Sequence, residues 1–294
     1  IFISYILDKI YISNTFYLAE WDQGYHLSNL FRTYNILEKI NLFSTDWWNN
    51  FWSITNSYRG PLTYTISSFF LFIFGKSYEN SLLSNHLFLI IIILCIFNLS
   101  REIGNKEAGL WGAFIFAFNP YIFDQRVDYL IDISQVCLIN LNFYILYKFF
   151  KTKGDFLLSL FLGITSGFVF LTKPTGLFFL IIPYIYTFNY YLKNFHNLKK
   201  KLIHITIIIT SFLITIWPWF SINWLTIITS IHNSWQWGIK YQNGLEANTF
   251  EGLIFYPRMI ITLLNPYIIG SFLVLILLDK FKLSKNFNLN IDQS

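Results

Sequence analysis

Residues 81–100 read SLLSNHLFLIIIILCIFNLS and contain no Asp, Glu, Lys or Arg. A helix of roughly 20 apolar residues spans the ~30 Å hydrocarbon core of a bilayer. Comparable runs follow at 107–123, 130–149, 155–172, 174–192, 202–220 and 258–278, which predicts seven crossings. The stretch 61–74, PLTYTISSFFLFIF, is shorter, begins with Pro61 and stops before Gly75. A run of that length reads as interfacial or re-entrant. Only 13% of the 294 residues are charged, against about 25% in soluble domains. The fold class is therefore all-α, a polytopic transmembrane helical bundle forming a single domain over 1–294. The opening IFISYIL and the polar ending NFNLNIDQS suggest a piece of a longer protein. Residues 1–7 read as the end of a leading transmembrane helix, 8–80 as an outer loop carrying interfacial helices, 81–278 as about seven transmembrane helices and 279–294 as a cytoplasmic tail.

Charge sets the sidedness. The net charge of +5 is not spread as a nucleic-acid surface. Most basic residues sit in the short segments SREIGNKE, KFFKTKGD, KNFHNLKKK and DKFKLSK. The positive-inside rule puts these in the cytoplasm. If 61–74 does not cross, two acidic clusters then face outward together: WDQGYHL around Asp22, and FDQRVDYLID with Asp124, Asp128 and Asp132. A third outward segment, 221–257, is rich in Trp and reads as a loop. The outer Trp residues suit a membrane-interface belt or stacking on sugars. Cys95 and Cys137 lie inside apolar runs and form no CxxC or zinc spacing.

A helix over 22–37 would put Asp22, His26 and Asn29 on one face by i, i+4, i+7 spacing, with Leu27, Leu30, Phe31 and Tyr34 as an apolar stripe. Such a helix could lie at the membrane surface, with Asp22 as its N-cap. Asp124, Asp128 and Asp132 would likewise line one helix face. Asp132 begins to enter an apolar run, where an ionisable group usually marks function. Lys173, in FVFLTKPTGLFF, sits where Pro174 must break a helix. Lys173, Arg59 and Arg126 lie on the outer side, against the positive-inside trend. Each could snorkel to headgroups or hold a phosphate. Carboxylates and fixed cations flanked by membrane suit chemistry on a lipid-linked phosphate ester.

The chain resembles the membrane-embedded GT-C glycosyltransferases, on the branch of the protein O-mannosyltransferases and lipid A aminoarabinose transferases. WDQGYHLSNLFRTYNILE resembles the family's Asp-Glu segment with its nearby Tyr. YRGPLTYTISSFFLFIFGKS, FAFNPYIFDQRVDYLIDIS, GITSGFVFLTKPTGLFFL and IWPWFSIN resemble later landmarks, in family order. The resemblance implies an inverting transfer of a sugar from a polyprenyl-phosphate donor to a lipid, glycan or protein acceptor, at the outer face of the plasma (inner) membrane. It implies Asp22 as the catalytic carboxylate and Asp132 as the second, with Asp128 the alternative. Lys173, Arg59, Arg126, Tyr25 and His26 become substrate-binding candidates. Some relatives use a divalent ion, which makes His232 a candidate ligand, with a solvated loop histidine as the alternative. Three departures stand out. Gln23 replaces the family's Glu. Gly60 replaces a usual Pro or Lys, which hands a phosphate contact to Arg59. No Arg lies near Leu83, leaving His86 or Arg101 to compensate. Two other readings remain open: a transporter or flippase of lipid-linked sugars, and a non-catalytic scaffold.

Overall fold

A computed structural model of the chain describes residues 2–14, 21–54, 59–194, 198–241 and, beyond them, 249–252, 254–255, 258, 270 and 273–274. Among the described residues all regular structure is helical. The helices in chain order are α1 (Phe2–Asn14), α2 (Trp21–Glu38), α3 (Thr45–Trp52), α4 (Leu62–Phe74), α5 (Tyr78–Ser81), α6 (Leu83–Ile103), α7 (Lys106–Ala117), α8 (Pro120–Val127), α9 (Asp132–Lys151), α10 (Phe156–Thr172), α11 (Leu177–Asn194) and α12 (Leu198–Tyr241). The chain divides into two compact units, Ile1–His232 and Asn233–Ser294. The first contains every element around the candidate site.

Three described helices are long and apolar enough to cross a membrane: Tyr78–Ile103, Asp132–Lys151 and Leu198–Ser230. Leu62–Phe74 and Phe156–Thr172 are shorter apolar helices. The chain is thus an all-α membrane bundle, but several expected spans differ in detail. The run at 107–123 is broken. The Asn119 side chain accepts from the Tyr121 N–H and Pro120 opens α8, so α7 stops after about 18 Å. The run at 174–192 begins with a 3-10 turn, Pro174–Gly176, before α11. The expected span at 258–278 and the tail at 279–294 fall largely or wholly outside the described residues.

The segment expected as a loop from 221 continues as helix to Tyr241, because the apolar pattern runs on past Pro218 through Leu225, Ile227 and Ile228. Asn223 ties that stretch to α3, donating to the Trp52 carbonyl at 2.8 Å. The helix expected to end at residue 7 runs on to Asn14, because Asp8 is buried against Arg126 rather than solvated.

Helices α6 and α9 run parallel. Near their starts Asn85 reaches the segment leading into α9. At their ends Glu102 pairs with Lys148 and Lys151. From Asp132 to Lys151 is about 28 Å along α9, which matches a hydrocarbon core. Glycines set the approach of α10 to α12. A Cβ on Gly163 would lie 1.8 Å from Ser211 Oγ and 2.3 Å from the Ile208 carbonyl oxygen, and one on Gly167 would lie 2.6 Å from Thr215 Cγ2. Small residues in a membrane bundle permit such contacts.

Helices α2 and α4 also run parallel, as the contacts His26–Tyr64, Tyr34–Phe72 and Asn35–Lys76 advance together along both. The stripe of α2 therefore covers protein rather than lipid. Leu27 and Leu30 are buried with Tyr64, Leu71, Leu82, Tyr129 and Ile131, and Phe31 and Tyr34 pack against that cluster. Trp47 and Trp219, expected at an interface or on a sugar, are core residues, whereas Trp217 and Trp224 are exposed.

Candidate active site

The site is built where four separate segments end. Asp22 stands in the first turn of α2 rather than before it, so it is not the N-cap. Its side chain is 71% exposed. A carboxylate in a first turn is favoured by the helix dipole. One turn on, the same helix presents His26, buried, with Nδ1 2.6 Å from the Tyr64 hydroxyl.

Arg59 reaches Asp22 at 3.5 Å and lies over the Tyr25 ring, 5.3 Å from its centroid. The position of Arg59 depends on the next residue. The Gly60 N–H donates to the Thr172 carbonyl at 3.2 Å. A Cβ on Gly60 would sit 1.9 Å from the Leu171 carbonyl oxygen. Only glycine lets the Arg59 segment press against the end of α10.

That end is shaped by Pro174. A residue before proline is pushed out of the helical region, and Lys173 is extended at φ −160°, ψ 113°. Its Nζ lies 3.2 Å from Asp132 Oδ1. Gln135, one turn into α9, donates to the Lys173 carbonyl at 3.2 Å. Gly176 makes room for Gln135, since a Cβ there would fall 1.7 Å from Nε2. Asp132 sits in the first turn of α9 with its side chain half exposed.

The four charged groups share one field at His26. Burial first, then the nearby Arg59 guanidinium, depress its pKa to about 4, with Lys173 adding to the effect and Asp22 and Asp132 opposing it. His26 is therefore uncharged at neutral pH. Burial also holds the Tyr64 hydroxyl well above its ordinary pKa, so it remains a hydrogen-bond donor.

Asp22, Tyr25, His26, Arg59, Asp132 and Lys173 thus come together from positions far apart in sequence. Arg126 does not join them. Arg126 is buried, its Nε and Nη2 donating to Asp8 at 2.7 and 2.8 Å. Asp124, Asp128 and Asp132 do not share a helix face, because α8 ends at Val127 and Asp128 is extended. His86 faces Asp8 at 3.0 Å. Arg101 stands about 22 Å further along α6. Gln23 is buried. Among the described residues no three His, Cys, Asp or Glu side chains converge as a metal-ligand set, and His232, in α12, is exposed. Sequence reasoning missed Tyr64, Gln135 and Gly176. Tyr64 and Gly176 lie inside the stretches YRGPLTY and LTKPTG, and Gln135 directly follows VDYLIDIS, so the family landmarks pointed to the segments but not to these residues.

The family described as dolichyl-phosphate-mannose-protein mannosyltransferase matches residues 58–224. The chain belongs to this family. The matched region carries Arg59, Tyr64, Asp132, Gln135 and Lys173, while Asp22 and His26 precede it. No curated protein and no solved structure matches the chain. Family membership together with the apolar helices makes it a membrane glycosyltransferase of the mannosyltransferase type.

Proposed function

We propose that the protein transfers a sugar from a polyprenyl-phosphate donor to a hydroxyl acceptor on a lipid, glycan or protein, with inversion, at the outer face of the plasma membrane. The observation that supports this most is the pairing of two carboxylates with two cations at one helix-end cluster, Asp22 with Arg59 and Asp132 with Lys173. Both carboxylates are at least half exposed. Ion pairs of that kind contribute about 0–1 kcal/mol. An entering phosphate can displace the carboxylates from Arg59 and Lys173 at little cost.

Asp22 takes the proton from the acceptor hydroxyl as its oxygen attacks the anomeric carbon. The carbon–oxygen bond to the phosphate breaks, and the polyprenyl phosphate leaves with the bonding electrons. Lys173 and Arg59 stabilise the charge that develops on it. Asp132 is the second carboxylate and orients Lys173. The Tyr25 ring supports the Arg59 guanidinium and, with uncharged His26, lines the sugar side. No step is assigned to a metal ion. The buried Gln23 leaves Asp132 as the second acid that the family's Glu would supply.

The test uses membranes containing the full-length protein and a panel of radiolabelled polyprenyl-phosphate sugars, mannose included. Transfer by wild type that is lost in Asp22→Asn supports the reading. Full transfer by Asp22→Asn overturns the role of Asp22. Uptake of an intact lipid-linked sugar into sealed vesicles, without transfer, would favour a flippase.

A further inference from the structure

Between α8 and α9 the chain leaves the helix for a short turn, with Asp128 extended at φ −101°, ψ 134° and the Leu130 N–H bonded to the Asp128 carbonyl at 3.0 Å. This turn decides where Asp132 stands. Three consecutive carbonyls of it are held by side chains from other elements. Asn85 Nδ2 donates to the Arg126 carbonyl at 3.1 Å and to the Asp128 carbonyl at 3.0 Å. The Tyr78 hydroxyl donates to the Val127 carbonyl at 2.9 Å. Asn85 is fully buried. The Arg126 side chain anchors the same stretch to α1 through its two hydrogen bonds to Asp8, and it reaches the Ala117 carbonyl at 3.5 Å. Tyr129 and Ile131 plug the turn into the cluster that also holds Leu82 and Tyr64. Backbone carbonyls must find partners. Exposed turns take them from water, but here protein side chains supply them, which fixes the turn.

We propose that Asn85, Tyr78 and the Asp8–Arg126 pair are positioning residues for Asp132. They set its carboxylate against Lys173 without touching substrate. The proposal rests on the reading of Asp132 as a catalytic carboxylate. Arg126, a phosphate-contact candidate by sequence, acts here through the backbone it anchors. A displacement of about 1 Å at a reacting group can cost about 10²-fold in rate.

Two measurements on the purified full chain test this. The first needs no substrate. Nitroxide labels on Asp132→Cys and Lys173→Cys report their separation by dipolar broadening, with and without Asn85→Leu or Tyr78→Phe. A narrow separation that widens in either variant is expected. An unchanged distribution overturns the proposal. The second follows transfer from polyprenyl-phosphate mannose, or whichever panel donor is used. Asn85→Leu and Asp8→Asn should lower kcat about 10²-fold per folded molecule with donor KM within twofold, and Tyr78→Phe should do so more mildly. A loss of folded protein with kcat per folded molecule unchanged would mean a structural role alone and overturn the proposal. Tyr78→Phe removes a single hydroxyl and serves where Asp8→Asn does not fold. Asp132→Asn separates the two readings. If it abolishes transfer while the positioning variants are fully active, only the positioning role fails. If it is fully active, the assignment of Asp132 fails first.

Discussion

His26 is surrounded by two carboxylates and two cations yet carries no charge itself near pH 7. Its folded pKa, about 4, lies below the ordinary 6.5. The unfolded chain therefore binds more protons between those values, and stability falls as pH drops from about 6.5 towards 4. The span corresponds to at most about 3 kcal/mol. A His26→Gln variant should flatten this part of the stability–pH curve, measured by thermal unfolding in detergent. An unchanged slope would mean that other groups control it. Gly60 is the second decisive residue. Gly60→Ala places a methyl against the Leu171 carbonyl, so the Arg59 segment must move. Such overpacking costs about 1–3 kcal/mol. Transfer should fall more than stability alone accounts for, and kcat/KM for the donor reports it.

At the scale of elements, the apolar runs and the stop at Pro174 were legible in the sequence, because length and proline geometry act locally. The end of α7 was readable only in hindsight from Asn119 and Pro120. The course of α12 past Pro218 was not, because a Trp-rich helix and a Trp-rich loop share one composition. The Asp8–Arg126 pair joins residues 118 positions apart, and no local pattern announces it. Removing one partner of such a buried pair costs about 3–5 kcal/mol. Arg126→Leu should therefore destabilise strongly, and Asp8→Leu combined with it should recover much of the loss in a denaturation series. At the α10–α12 contact, Gly163→Val should lower stability by at least about 1–3 kcal/mol, since its side chain would meet Ser211 and the Ile208 backbone. A neutral Gly163→Val would contradict the close approach.

For the whole molecule, the sequence brought six of its eight candidate residues to one place, because the family resemblance orders motifs that the fold then gathers. It misplaced Arg126, which Asp8 holds, and it ran one helix through the turn at Asp128. The bundle puts the Asp132 end of α9 and the Lys148–Lys151 end about one bilayer thickness apart. That arrangement suits a lipid-linked donor whose phosphate meets the cations while its tail stays in the membrane. The central claim is that the two ion pairs, from α2 with the Arg59 segment and from α9 with the end of α10, form one reaction centre. A double-mutant cycle on transfer tests it directly, with Asp22→Asn and Lys173→Gln made singly and together and kcat/KM measured for the donor. Residues acting as a unit are non-additive, so the double variant should be little worse than the poorer single one. Losses that multiply in full, or a Lys173→Gln variant with wild-type kcat/KM, would contradict a shared centre.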